Sequence, residues 1–141
     1  MSFCIVVDTN VLVGAALSAE GDNREVLRRC FQHVVQPLMG AALFHECEDV
    51  FDRTDPLASS PLSFEERQRL LAAFLSTCEW VKVYYLWRPN LPDEGDNHLV
   101  ELAIAGGADA IVTNNIRDFQ RGELRFPHLR ILTPSEFLET C

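Results

Sequence analysis

The sequence predicts an α/β fold, with helices packed on a mostly parallel sheet of about five strands. Three observations carry this reading. Residues 3–7 (Phe-Cys-Ile-Val-Val) and 110–112 (Ala-Ile-Val) are unbroken apolar runs, the pattern of parallel strands covered on both faces. Helical periodicity fills the stretches between such runs. Strand and helix patterns alternate along the chain with no internal repeat, an order that right-handed crossovers turn into a parallel sheet. Ligands of such sheets bind beyond the carboxyl ends of the strands, and that is where chemistry is sought.

The elements follow in order. After the strand at 3–7, Asp8-Thr9-Asn10 ends the run and a helix is expected over 11–17. Gly21-Asp22-Asn23 breaks the chain and caps a second helix over 24–33. Residues 34–38 form a short strand candidate interrupted by Pro37, which lacks the ladder donor. Gly40 precedes a helix over 41–51. Residues 52–62 form a polar, Pro/Ser-rich loop, yet neither side of it could fold alone, so one domain over 1–141 is expected. Ser63-Phe64-Glu65-Glu66 is a capping box opening a helix that runs to about residue 78. A strand is expected over 80–85, a proline-containing loop over 88–93, and a helix over 94–105 ending at Gly106-Gly107. The strand at 110–112 ends at Thr113-Asn114-Asn115. A last strand spans 129–132, and Thr133-Pro134-Ser135-Glu136 combines a capping box with proline at the first helical position.

Composition narrows the function. Apolar residues make up 48% of the 141-residue chain and charged residues 23%, ordinary values for a globular protein. No apolar run approaches the roughly 20 residues of a membrane span. The first strand lacks the basic flank of a secretion signal, so a cytoplasmic protein is expected. The five cysteines are scattered with no Cys-x-x-Cys, and Cys4, Cys30, Cys47 and Cys78 read as reduced core residues. His33, His45, His98 and His128 offer no zinc-ligand spacing, and His98 is assigned no role. The net charge is −9, from 12 basic and 21 acidic side chains, wrong for a protein that holds nucleic acid by its overall field. Either nucleic acid is not involved, or clustered acids bind cations that bridge to phosphate. Lys82 is the chain's only lysine and no Gly-x-x-x-x-Gly-Lys occurs, which excludes a phosphate-cradling loop. The arginines at 24, 28 and 29 form a basic helix face and those at 117, 121 and 125 a basic C-terminal loop; both are able to touch a nucleic-acid backbone, and solvated surface is the default reading of each.

Four acids stand at the places the fold class points to. Asp8 follows five apolar residues at the end of the first strand, where it can be either a helix N-cap or a ligand. In the helix over 41–51, Leu43, Cys47 and Val50 mark an inward stripe. At about 100° per residue, Glu46 lies roughly 60° from Leu43 and 40° from Val50. A carboxylate there is costly unless it is paired, metal-bound or able to reach water. Asp93 and Asp96 are spaced i, i+3 around a helix start; capping accounts for Asp93, whereas Asp96 shares the first turn with an apolar face of Leu99, Leu102 and Ala103. Convergent carboxylates raise one another's pKa values unless a divalent cation sits among them. Mg²⁺ or Mn²⁺ suits oxygen ligands and can activate water for attack on a phosphodiester, supplying the positive charge the chain lacks.

Together these segments resemble the PIN-domain nucleases. Val7-Asp8-Thr9-Asn10-Val11-Leu12-Val13 resembles the family's opening signature, Glu46 its second acid, and Asp93-Glu94-Gly95-Asp96-Asn97-His98 its Asp-x-x-Asp-Asn segment. Residues 108–119, with Thr113, Asn114, Asn115 and Asp118, resemble its fourth-strand motif, and residues 132–138 its ending. The match covers the whole chain in order. The resemblance implies a three-layer α/β/α sandwich and Mg²⁺- or Mn²⁺-dependent cleavage of RNA, with Asp8, Glu46 and Asp96 as catalytic metal ligands. It further implies a toxin component of a bacterial toxin–antitoxin pair, a homodimer silenced by an antitoxin protein. Asn10, Asp93, Thr113, Asn115 and Asp118 are supporting candidates. Many family members carry a fourth acid where this chain has Asn115, which leaves a second metal position in question. Two rivals are an inactive, protein-binding PIN-like module and an Asp-dependent phosphatase or receiver-like domain. The latter needs a later lysine, and its nucleophilic form a second acid where Asn10 stands.

Overall fold

The computed structural model describes residues 3–53, 60–83, 94–120 and 129–140, with the side chains of 94–97, 118 and 120 outside the description. Five strands, β1 (Phe3–Val7), β2 (Val35–Met39), β3 (Glu79–Trp80), β4 (Ala110–Val112) and β5 (Arg130–Leu132), form one sheet in the order β3-β2-β1-β4-β5. Every pairing is parallel. Helices α1 (Thr9–Leu17), α2 (Asp22–Phe31), α3 (Ala41–Asp52), α4 (Phe64–Thr77), α5 (Glu94–Gly106), α6 (Ile116–Gln120) and α7 (Pro134–Thr140) complete the described chain.

The fold is a three-layer α/β/α sandwich, as expected. Helix α5 packs on β1, β2 and β4, while α1, α2, α3 and α4 pack on one another and α2 and α4 also reach β2. Enclosed on both sides, the strands bury Ile5, Val6, Val7, Ala110, Ile111 and Val112 completely, which explains their unbroken apolar runs. Phe51, Phe74 and Phe137 fill the same core cluster. From β1 the chain builds outward through β2 to β3, then returns to lay β4 and β5 on the other side of β1. The strand order therefore reverses between β1 and β4, the switch point at which such sheets open a crevice.

Several boundaries differ from the expectation, each for a local reason. Helix α1 begins at Thr9, two residues early, so Asn10 lies in its first turn. Helix α2 starts at Asp22 with Gly21 as its cap and stops at Phe31, beyond which His33 takes a positive φ of 60°. Pro37 does not interrupt β2: it pairs in register with Ile5, and the pairing to β3 begins only at Leu38. The expected strand over 80–85 reduces to the Glu79–Trp80 pair, followed by a bond from Val81 N to Met39 O of 2.8 Å; residues 84–93 lie outside the described residues. The last strand starts at Arg130 rather than 129. Residues 116–120, to which the sequence assigned no element, form the short helix α6. Both capping boxes are present, with reciprocal bonds between Ser63 and Glu66 and between Thr133 and Glu136. Among the described residues, no helix is long and apolar enough to cross a membrane.

Candidate active site at the carboxyl ends of the strands

Asp8 stands at the switch point, its backbone N–H donating to Val112 O across the β1–β4 seam at 3.0 Å. Its extended backbone puts it at the N-cap of α1, yet its side chain makes no capping bond. Capping is therefore not what the carboxylate does. The residue is only 6% exposed, and its Oδ2 accepts from Thr113 Oγ1 at 2.8 Å and from Asn10 Nδ2 at 3.3 Å. Thr113, fully buried after β4, accepts in turn from the Asn115 backbone N–H at 3.0 Å and from Asn10 Nδ2 at 3.3 Å. Those donors leave the Thr113 hydroxyl hydrogen free to point at Asp8. Burial pushes the Asp8 carboxyl above its ordinary pKa; the Thr113 bond opposes this, and the nearby Glu46 charge adds to it.

Glu46 projects from α3 toward α5, where His98 Nε2 lies 2.8 Å from its Oε2. The Glu46 side chain is 41% exposed and the His98 ring 15%. The bond to His98 outweighs partial burial, and with help from Thr9 it holds the Glu46 carboxyl below its usual value. So the glutamate beside the apolar stripe is both paired and within reach of water. The pairing was not legible in the sequence, where His98 carried no role. Its one signal was its place two residues after Asp96 on the helix that faces β1. Thr9 was missed too; it is buried between the two acids, with Oγ1 3.9 Å from Cys47 Sγ.

The other expected residues divide by location. Asp96 lies in the first turn of α5, with its side chain outside the described residues, and Leu99, Leu102 and Ala103 of that helix are buried as expected. Asp93 lies outside the described residues, and Asp118 lies on α6 with its side chain likewise outside. Asn115 is exposed beside Thr113. A chain of amides leads away from Asp8: Asn10 Oδ1 accepts from Asn114 N at 3.1 Å, and Asn114 Nδ2 donates to Asn23 Oδ1 at 3.0 Å. The basic face of α2 is partly committed elsewhere. Arg24 donates twice to Ala15 O, Arg28 donates to Ala19 O, and both Arg28 and Arg29 pair with Glu25. Of the cysteines, Cys30 and Cys47 are buried and Cys4 and Cys78 half-buried, all four as free thiols.

Asp8 and Glu46 are hard oxygen donors of the kind Mg²⁺ and Mn²⁺ take, and a cation beside them would relieve the strain that keeps the Asp8 pKa high. Among the described residues no three His, Cys, Asp or Glu side chains form a metal-holding group.

Residues 4–117 match the family model of the PIN domain. The chain belongs to the PIN-domain family. The matched span opens on β1 and closes in α6, so this PIN domain holds Asp8, Glu46, His98 and Thr113 within it. Among solved structures, a chain of VapBC2 from Rickettsia felis, crystallised bound to a DNA fragment from their promoter, is similar to it at a TM-score of 0.62 and 19% identity, covering 93% of this chain and 98% of that one. At that identity the likeness speaks for the fold. No curated protein matches the chain.

Proposed function

We propose that this PIN domain is a Mg²⁺- or Mn²⁺-dependent endoribonuclease and the toxin of a toxin–antitoxin pair. The observation that carries the reading is the convergence of two carboxylates at the switch point: Asp8, buried, has its pKa raised in part by Glu46, which reaches in from a different helix. Asp96, in the first turn of the helix that also carries His98, would supply the third ligand. A cation held there by Asp8, Glu46 and Asp96 would supply an activated water and positive charge for displacement at a phosphodiester. The chain's own residues prepare that site. Thr113 and Asn10 fix Oδ2 of Asp8 and so orient its carboxylate. His98 and Thr9 hold the Glu46 carboxylate ionised. Asn115, exposed beside Thr113, would orient a water or a phosphate.

The phosphatase reading loses ground on Asn10. Where a nucleophilic-Asp phosphatase has its second acid, this side chain donates to Asp8 and to Thr113. The toxin role rests on the family resemblance and on the fold shared with the VapBC2 chain. In that role the protein is a homodimer inhibited by an antitoxin.

The test is direct. With Mn²⁺, the purified protein should cleave single-stranded RNA. Asp8→Asn and Asp96→Asn should each lower the rate by at least about 100-fold, more than the 10–100-fold typical of residues that only support a ligand, with an unchanged circular dichroism spectrum. Undiminished cleavage by those variants would overturn the site, and cleavage that persists in EDTA would overturn the metal. A folded protein that cleaves nothing but binds the product of a neighbouring reading frame would favour the protein-binding module instead.

A further inference from the structure

We propose that Asn114 and Asn23 are positioning residues for Asp8, acting on its carboxylate through the side chain of Asn10; this rests on the reading of Asp8 as a ligand of the proposed cation. The side-chain amides of these asparagines run from α2 to the switch point in an unbroken line of hydrogen bonds. Asn23 lies in the first turn of α2, Asn114 follows Thr113 beyond the end of β4, and Asn10 lies in the first turn of α1. Asn114 Nδ2 donates to Asn23 Oδ1 at 3.0 Å and to Asn10 Oδ1 at 3.4 Å. Asn10 Nδ2 in turn donates to Asp8 Oδ2 and to Thr113 Oγ1, each at 3.3 Å. In the sequence Asn23 reads only as part of a helix cap; its partner Asn114 is 91 residues away.

The line has a direction, and a backbone group sets it. A side-chain amide can exchange its oxygen for its nitrogen by turning over, unless its partners tell the two apart. Those of Asn10 do. The backbone N–H of Asn114 can only donate, and it donates to Asn10 Oδ1 at 3.1 Å. The oxygen of Asn10 is thereby fixed toward Asn114 and its amino group toward Asp8. Turned over, Asn10 would set its oxygen against a carboxylate and its amino group against an N–H. Asn114 Nδ2 carries two hydrogens, one for the same Asn10 oxygen and one for Asn23 Oδ1, so Asn23 holds the Asn114 amide in the orientation that holds Asn10. Gly14 seats Asn23 in turn. A Cβ at Gly14, inside α1, would clash with Asn23 Nδ2 and lie 2.7 Å from Asn23 Cγ. A glycine in a helix interior is unfavourable, and here it leaves the space that the Asn23 amide fills. Loss of the outer amides frees Asn10 to turn from Asp8, whose Oδ2 then pivots on the single bond from Thr113. Asn114 is exposed and Asn23 half-buried, so each link competes with water and is worth one ordinary net hydrogen bond.

The experiment measures two quantities on the full chain: Mn²⁺ affinity by calorimetric titration and, in EDTA, hydrogen exchange of the Asn10 side-chain amide by NMR. Asn114→Ala and Asn23→Ala should each weaken Mn²⁺ binding by about 2–10-fold, the range of one net hydrogen bond, and should speed exchange of the Asn10 amide. Asn23→Asp keeps the acceptor oxygen and should bring both quantities back toward wild type. Gly14→Ala displaces Asn23 while leaving every asparagine in the chain, so it should reproduce Asn23→Ala and checks that result independently. In the double variant Asn23→Ala/Asn114→Ala the loss should equal that of Asn114→Ala alone, because one residue acts through the other. Losses that multiply in the double variant would overturn the proposal, and so would an Asn10 amide and a Mn²⁺ affinity untouched by either single change. Mn²⁺-dependent RNA cleavage by a protein whose metal affinity ignores both asparagines overturns this inference and spares the nuclease reading. An Asn10 amide that responds to both, in a protein that binds no Mn²⁺, keeps the positioning of Asp8 and overturns the metal.

Discussion

The Glu46 charge acts on Asp8, yet the surroundings of the two acids drive them in opposite directions, and that difference can be measured. Burial, the largest cause, raises the Asp8 pKa, so the folded protein keeps this proton to a higher pH than the unfolded chain. Stability is then lost as pH rises through the ordinary value of 3.8 toward the raised one. The His98 bond lowers the Glu46 pKa. Its contribution is fully present above the ordinary 4.5 and disappears as pH falls through the lowered value. In EDTA at pH 7, Asp8→Asn should therefore melt above the wild type and Glu46→Gln below it. Both differences should shrink toward pH 3, as thermal melts across that range would record. A wild type and Asp8→Asn that melt together at every pH would mean that the buried carboxylate carries no strain.

At the scale of elements, the site depends on how closely α5 lies on the sheet. Gly106, the last residue of α5, permits that approach: a Cβ there would come within 2.5 Å of Leu38 Cδ1 and 3.1 Å of Val81 Cγ2. Leu38 is only 1% exposed and packed in the core cluster. Gly106→Ala should cost about 1–3 kcal/mol as an overpacked contact, outweighing the helix propensity alanine gains near a terminus. Denaturant unfolding gives the number. Because α5 carries His98 and Asp96, the same variant should weaken Mn²⁺ binding, whereas a site independent of α5 would leave it unchanged. The residue that follows the helix, Gly107, turns at a φ of +67°, and among the described residues nothing beyond its chain neighbours lies within 4 Å of its Cβ position. There the glycine answers to backbone conformation alone.

For the molecule as a whole, the measurable consequence is linkage between metal and fold. The end of β1, α3 and α5 each carry one proposed ligand, so a cation that bound all three would stabilise the folded chain and not the unfolded one. At a concentration about 100 times its dissociation constant, Mn²⁺ should add about 2.7 kcal/mol, seen as a higher melting temperature that EDTA reverses. The gain should vanish in Asp8→Asn. An equal gain in that variant would mean that the ion binds elsewhere on a surface whose net charge is −9.

What the sequence determined by itself was local. The apolar runs of β1 and β4, the capping boxes at Ser63 and Thr133, and the helical stripes are set by residues a few positions apart, and they stand where periodicity put them. Their order was enough to predict a parallel sandwich and to direct attention to the acid after β1. The sequence could not decide whether Asp8 caps a helix, because a cap and a ligand need the same residue at the same place. The answer came from Thr113, 105 residues away, which binds Asp8 Oδ2 while the side chain makes no capping bond. Glu46 and His98 are 52 residues apart, and Asn23 and Asn114 are 91 apart. Such pairings arise only when crossovers bring distant segments to one end of the sheet, and no local periodicity encodes that distance.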